Sequence, residues 1–382
     1  MALNYLKMWQ HVFKREMNSK RLRPANSIIF ITYRCTSRCI TCNIWQRTQG
    51  KKTELKEMEL ALPRWTQVIE NLHRAGVGTV EVFGGDALLR KDVTIAMIQK
   101  CTDLGMDTFF ATNALRLDDE TAQQLVAAGL GRIYFSLDGI AEIQNRIRGV
   151  KQSYTTMQAA IENVYRTRSN SGCQKPLIGI ITTVSRTNAE EINAIIAHLE
   201  GFPLDFLELQ IVGEVAPQSI QSSVIEGIAP TPLFTATSDH SNLLREEQLP
   251  VLNAALKSMR PKKRQLNFNI NLYHIEPYTA ETFCKGIFPQ FPCHWCTTVV
   301  TLTPSGDVVP CPNYTDFILG NIDQEESLDA IWGNEKHRRF LKQQKSGALR
   351  ICRQCSMRHS YPGVREKFRH TFYHYLYTPF RR

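Results

Sequence analysis

The stretch SIIFITYRCTSRCITC, residues 27–42, carries two signals in sequence. Its first half, 27–33, is a run of β-branched and aromatic residues of strand length. Its second half sets three thiols, Cys35, Cys39 and Cys42, on one short loop directly after that strand. Three thiolates can hold three irons of a cubane cluster and leave the fourth iron open. A closed zinc site needs a fourth protein ligand, which this loop lacks. Buried structural thiols are the plain alternative, and a spacing of three residues then two rarely arises that way.

Further apolar runs follow at 78–83, 107–112, 131–137, 177–184 and 204–212. Helical patterns lie between them. Trp65, Val68, Ile69 and Leu72 stand at i, i+3, i+4 and i+7, and Asp118, Asp119 and Glu120 open a segment at 118–128. Helices are also expected at 153–168 and 188–199. Six strands alternating with helices predict an α/β fold on a parallel sheet, and continuous apolar runs predict strands covered on both faces. Periodicity is compatible with an open sheet and with one curled into a partial barrel. In either, the site belongs at the C-terminal strand edge. There the sequence places Cys35, Gly84-Gly85-Asp86, Asn113, Ser136 and Asp138, Thr183, Gln210 and Glu214.

Beyond residue 215 the character changes. Residues 216–283 read as a bridging segment, partly helical at 242–259, and residues 284–360 as a cysteine-rich subdomain with a hairpin at 298–310. The eleven cysteines cannot all pair, and the first 30 residues carry charges with no apolar signal core, so a reducing, cytoplasmic setting is expected. Cys101 and Cys173, alone in the middle, read as small buried hydrophobes. The formal charge of +10 favours anionic partners without naming one.

Residues 1–24 read as a basic amphipathic helix. Tyr5, Leu6, Trp9, Val12 and Phe13 lie on one face, with Lys7, His11, Lys14 and Arg15 around it; it suits an anionic membrane surface or docking on the barrel. The segment 361–382 interleaves Phe368, Phe372, Tyr373, Tyr375, Tyr377 and Phe380 with Arg365, Lys367, Arg369, Arg381 and Arg382. Packing on the hairpin is the expected role, and nucleic acid is not an expected partner.

The three-cysteine loop resembles that of the radical S-adenosylmethionine (radical SAM) superfamily, and the resemblance extends over most of the chain. It implies a partial (β/α)6 TIM-like barrel, a [4Fe-4S] cluster whose open iron is chelated by SAM, and an electron donor such as flavodoxin or ferredoxin. Gly84-Gly85-Asp86-Ala87 is similar to the glycine-glycine-glutamate-proline motif that holds the methionyl ammonium, with Asp for Glu and Ala for Pro. Ser136-Leu-Asp138-Gly139 resembles a SAM-contacting strand end. Arg148 matches an arginine that pairs with the SAM carboxylate. Asn113 stands where Thr-Asn-Gly is common, with Ala114 in place of glycine. The residue before the third cysteine is often an aromatic that packs on adenine. Here it is Thr41, leaving that task to Trp45 or Tyr33.

Cys296, nine residues, Gly306, four residues and Cys311, with Cys352-Arg-Gln-Cys355 later, resembles the SPASM extension, whose pattern is Cys, nine to fifteen residues, Gly, four residues, Cys. Leu319-Gly320-Asn321-Ile322, Ser327-Leu328 and Ile331-Trp332 fit it too. The absence of cysteine after Cys355 indicates the truncated twitch form. The resemblance implies a second, auxiliary [4Fe-4S] cluster on Cys296, Cys311, Cys352 and Cys355. Cys284 and Cys293 are then left over, as packing residues or hydrogen-atom donors. The competing reading pairs Cys293/Cys296 with Cys352/Cys355 as the knuckles of a zinc ribbon, a non-enzymatic nucleic-acid module.

The expected activity is hydrogen abstraction from a C–H bond of a polar small molecule, a sugar or aminocyclitol. Net dehydrogenation would use the auxiliary cluster as electron acceptor, and quenching by a thiol would give epimerisation. The alternative is maturation of a peptide or a lipid-linked substrate.

Overall fold

The computed structural model describes residues 2–48, 58–237, 241–262, 266–272, 275, 278–290, 292–325, 327–359, 363–365 and 367–368. Six strands form where the apolar runs predict them: β1 (Asn26–Phe30), β2 (Thr79–Phe83), β3 (Asp107–Thr112), β4 (Arg132–Ser136), β5 (Leu177–Val184) and β6 (Phe206–Ile211). Each pairs parallel with the next. Helices such as Leu62–Arg74 pack outside, burying the predicted stripe Trp65, Val68, Ile69 and Leu72 completely or nearly so.

The sheet extends beyond those six strands. A short polar strand, β7 (Asn269–Asn271), pairs parallel with β6 inside the segment read as a bridge. The cysteine-rich hairpin is β8 (Val299–Leu302) and β9 (Asp307–Val309), followed by β10 (Gly320–Asn321). β8 lies parallel against β1, so the hairpin continues the barrel sheet. All ten strands form one sheet in the order β10-β9-β8-β1-β2-β3-β4-β5-β6-β7. Its edges are β7 and β10, which do not pair with each other, and the barrel is therefore partial.

The strands are less evenly covered than their apolar runs predict. On β2, β3, β4 and β6 burial alternates along the chain. Val82, Phe110, Phe135 and Leu209 are sealed into the main core, and Glu81, Phe109, Tyr134 and Glu208 alternate with them. This second set lies on the other face of the sheet and is partly buried. There burial and the Glu208 carboxylate push the Glu81 carboxyl up to about 8, against an opposing pull from Arg132.

The helix expected at 188–199 shortens to Ile192–Leu199. Asn188 is spent on turn contacts: it accepts from Ser185 N at 2.7 Å and donates to Asp138 O at 2.7 Å. The helical part of the bridge is Leu249–Lys262.

The helix expected near the N-terminus spans Ala2–Lys20. It docks on the C-terminal part through Ser19 Oγ and Thr297 Oγ1 (2.7 Å), and the Glu16 carboxylate accepts from Val364 N at 3.0 Å. Val12 is buried, and Phe13 and Met17 are exposed. The side chains of Tyr5, Leu6, Lys7 and His11 lie outside the described residues, as does the aromatic and basic run from Arg369 onward. Among the described residues no helix is long and apolar enough to cross a membrane.

Candidate cluster and cofactor sites

The three-thiol loop leaves β1 at the C-terminal edge of the sheet. Its entrance is zipped to the loop after β2: Gly85 N donates to Thr32 O and Asp86 N to Arg34 O, each at 2.9 Å. This contact explains the two glycines. A Cβ on Gly84, whose φ is +143°, would lie 2.3 Å from Thr32 O, and one on Gly85 would lie 2.2 Å from Arg34 O. Here their missing side chains make room for the cysteine loop itself. From the other side the buried Glu59 carboxylate accepts from Thr32 Oγ1 (2.5 Å) and Arg34 Nη2 (2.8 Å), with Arg90 Nε at 3.6 Å. No sequence motif marked Glu59.

Asp86 closes the same clasp. Its Oδ1 caps the short turn Ala87–Arg90 by accepting from Leu88 N at 3.2 Å. Its Oδ2 accepts from Thr36 Oγ1, between the first two cysteines, at 2.5 Å. The shorter Asp side chain thus engages the loop. Asn113 donates from Nδ2 to Thr36 Oγ1 (2.9 Å) and Ser37 Oγ (3.0 Å), with Cys35 Sγ at 4.0 Å. Ala114 takes a left-handed φ of +67°, the conformation that favours glycine, while Asn113 Oδ1 accepts from Leu115 N.

From β4, Ser136 sits at the rim with its carbonyl held by Gln144 Nε2 at 3.0 Å. The Asp138 carboxylate is buried, accepting from Thr183 N at 2.8 Å and facing Arg148 Nη2 at 2.6 Å. Arg148 Nη1 lies 3.8 Å from Cys39 Sγ, so strand end, arginine and thiol form one chain. Arg38 N donates to Arg148 O and Ile40 N to Ile147 O, binding the thiol loop to the helix Glu142–Arg148. Trp45 donates from Nε1 to Cys39 O at 3.3 Å beneath Arg38, and Tyr33 lies beneath Arg47 against Phe30. Both aromatics already hold the loop.

Burial pushes the Cys35 thiol up to about 12 and Cys42 up to about 11. Such thiols stay protonated until a cation's charge draws the proton off, as ligation by iron does. The loop fits a site-differentiated cluster, with three thiols at one sheet edge and polar groups around them.

The second group gathers in one cavity. Cys296, Cys311, Cys352 and Cys355 line it together with Trp295, Tyr314 and Phe340. Cys293, set apart from the ligand set on spacing, lines the same cavity. The sequence leaves it as a packing residue or a hydrogen-atom donor, and its position adds it to the thiols that line this cavity. Twelve residues separate it from Gly306, which satisfies the same window as the nine from Cys296. Asn313 Nδ2 donates to Cys355 Sγ at 3.4 Å. The buried His337 holds Cys296 O from Nε2 at 2.9 Å, and its Nδ1 accepts from Gly333 N. Burial pushes the Cys311 thiol well up, and contact with the Cys293 thiol together with burial does so for Cys296.

Among the described residues no three His, Cys, Asp or Glu side chains converge on a single-ion position. Thiols lining one cavity can serve as the corners of a cubane cluster. Cys284 lies on the helix Ala280–Lys285 and is not among the lining residues. Cys101 is fully buried as expected, whereas Cys173 is exposed, in a turn after the helix Ser153–Asn170. None of the eleven cysteines is in a disulfide.

Residues 29–199 match the family model of the radical SAM superfamily, and residues 293–356 match that of SPASM, an iron–sulfur cluster-binding domain. The chain therefore carries a radical SAM domain and a SPASM-type domain, which together imply SAM and two [4Fe-4S] clusters. It is similar to the mycofactocin maturase MftC of Mycolicibacterium smegmatis, 25% identical over 328 residues, covering 84% of this chain and 74% of that protein. The PqqA peptide cyclase of Bradyrhizobium diazoefficiens is 23% identical over 349 residues, with 88% and 79% covered. Among solved structures, Streptococcus suis SuiB bound to precursor peptide SuiA superposes with a TM-score of 0.60 at 15% identity, over 89% of this chain and 74% of that one.

Proposed function

We propose that this radical SAM enzyme removes hydrogen from a C–H bond of a peptide substrate and yields a net oxidised product. The carrying observation is the similarity, along most of both chains, to a maturase and a peptide cyclase. It favours a peptide over the polar small molecule expected from the sequence.

When bound, SAM and its cluster supply a 5′-deoxyadenosyl radical, and the second cluster accepts the electron that the oxidised substrate gives up. Cys35, Cys39 and Cys42 hold the first cluster in this reading. Cys311, Cys352 and Cys355 hold the second together with a thiol of the Cys293/Cys296 pair. Gly84, Gly85 and Asp86 fix the thiol loop and frame the methionyl end. Asn113 and Ser136 offer polar groups at the rim. Arg148, anchored by Asp138, presents a cation beside the Cys39 sulfur and would pair with the carboxylate of a bound SAM. An external reductant such as flavodoxin or ferredoxin completes the scheme.

The test begins with anaerobic reconstitution, iron and sulfide analysis, reduction and addition of SAM. About eight irons per chain and release of 5′-deoxyadenosine are expected. Deuterium transfer from a perdeuterated peptide library into 5′-deoxyadenosine then identifies the substrate class. Transfer only from sugars or aminocyclitols would overturn the peptide reading.

A further inference from the structure

The auxiliary cavity holds one thiol more than a cubane cluster uses. Five cysteines line it, and four thiolates complete the corners. The resemblance assigns Cys311, Cys352 and Cys355 one corner each: Cys311 lies beyond the hairpin turn, and Cys352 and Cys355 lie on and just after the turn Arg350–Arg353. The other two are neighbours. Cys293 and Cys296 flank His294-Trp295, the Cys296 thiol donates to Cys293 O at 3.7 Å, and both line the one cavity. Both satisfy the spacing to Gly306 and Cys311.

The backbone carrying the pair is held from both sides. Thr297 and Thr298 donate through their hydroxyls to His294 O, at 3.1 and 2.6 Å, and His337 holds Cys296 O. Exchange between the two sulfurs therefore asks for side-chain rotation within one short turn and no movement of the fold.

We propose that Cys293 and Cys296 are interchangeable ligands to a single iron of the auxiliary cluster, making this a five-thiol site for four corners. The exchange balances without a redox partner. The incoming thiol gives up its proton as its sulfur bonds to iron. The outgoing sulfur–iron bond breaks, and its thiolate takes that proton. One bond forms, one breaks, and cluster charge and oxidation state are unchanged. The consequence is retention of the auxiliary cluster when either thiol is lost. The inference rests on the cluster assignment and is independent of the peptide reading.

The test uses the full chain with Cys35, Cys39 and Cys42 all replaced by Ala, so that only the auxiliary cluster contributes iron. After anaerobic reconstitution, Cys293→Ala and Cys296→Ala should each keep about four irons and four sulfides. The double variant and Cys311→Ala should each fall below about one iron. The electron paramagnetic resonance spectra of the two reduced single variants should differ, because the sulfur arrives from different sides. Circular dichroism checks folding, and Cys296→Ser replaces Cys296→Ala if the smaller side chain unfolds the pocket. If either single variant loses iron as completely as Cys311→Ala, the proposal is wrong. It is equally wrong if the double variant retains the cluster. A second measurement uses the reconstituted unmodified chain. Iodoacetamide followed by peptide mass spectrometry should find about one label among the five thiols, divided between Cys293 and Cys296, and label on one alone or on neither overturns the exchange.

Discussion

Arg148 and Asp138 show how much one pair of side chains can decide at the thiol loop. The guanidinium is buried between a carboxylate at 2.6 Å and the Cys39 sulfur at 3.8 Å. Asp138→Asn keeps the acceptor for Thr183 N but leaves a buried cation without its anion. Removing one partner of a buried pair costs about 3–5 kcal/mol, so a loss of that order is expected in denaturant unfolding of the apo chain. A change under about 1 kcal/mol would mean that the pair is solvated. Conversely, Asp86 shows a carboxylate whose sequence context pointed to a ligand and whose contacts turn it toward Thr36 and Leu88 N.

Among the elements, the loop after β2 and the strand itself act at different depths. Gly84→Ala or Gly85→Ala drives a methyl group into a backbone carbonyl, which cannot swing away as a side-chain tip does. Either change should displace the cysteine loop, so that reconstitution falls from about eight irons to about four while the auxiliary cluster survives. Full iron content in both would show that the loop gives way cheaply. On the partly buried face of the strand itself, Glu81 carries a pH dependence. Its carboxyl is raised from 4.5 to about 8 by burial and by Glu208. Between those values the folded protein holds a proton that the unfolded chain has released. This group's contribution to stability is therefore full below pH 4.5 and is lost as pH rises through 8. Glu81→Gln cannot lose that proton, so its stability relative to the parent should climb between pH 5 and pH 8.5 by a few kcal/mol. A flat difference across that range would place Glu81 in contact with bulk water.

At the scale of the molecule, the single sheet makes the two cluster-bearing parts inseparable. β8 pairs with β1, and Ala25 N donates to Thr298 O at 2.8 Å, so the auxiliary hairpin covers an edge of the strand that leads into the three-thiol loop. A fragment of residues 25–283 would expose that edge together with Ile28 and Phe30. Such an edge recruits other chains. The fragment should aggregate or remain unfolded by size-exclusion chromatography and circular dichroism, and a soluble, folded monomer would contradict this.

The sequence by itself determined the six parallel strands, because buried strands need apolar runs of the right length. It also determined the three-thiol loop, because the spacing of Cys35, Cys39 and Cys42 is local, and it grouped Cys296, Cys311, Cys352 and Cys355 as a second set. Glu59 was invisible because a lone acid carries no pattern, and its meaning comes from Thr32, Arg34 and Arg90 converging on it. β7 was invisible because three residues reading Asn-Ile-Asn bury too little apolar surface to mark a strand. Only the tertiary structure joined the hairpin to β1 and turned Asp86 onto the cysteine loop. It also brought Cys293 into the cavity with the other four thiols. The reason is physical: sequence spacing fixes which donors share a segment, whereas which donors share a cavity depends on packing between segments far apart in the chain.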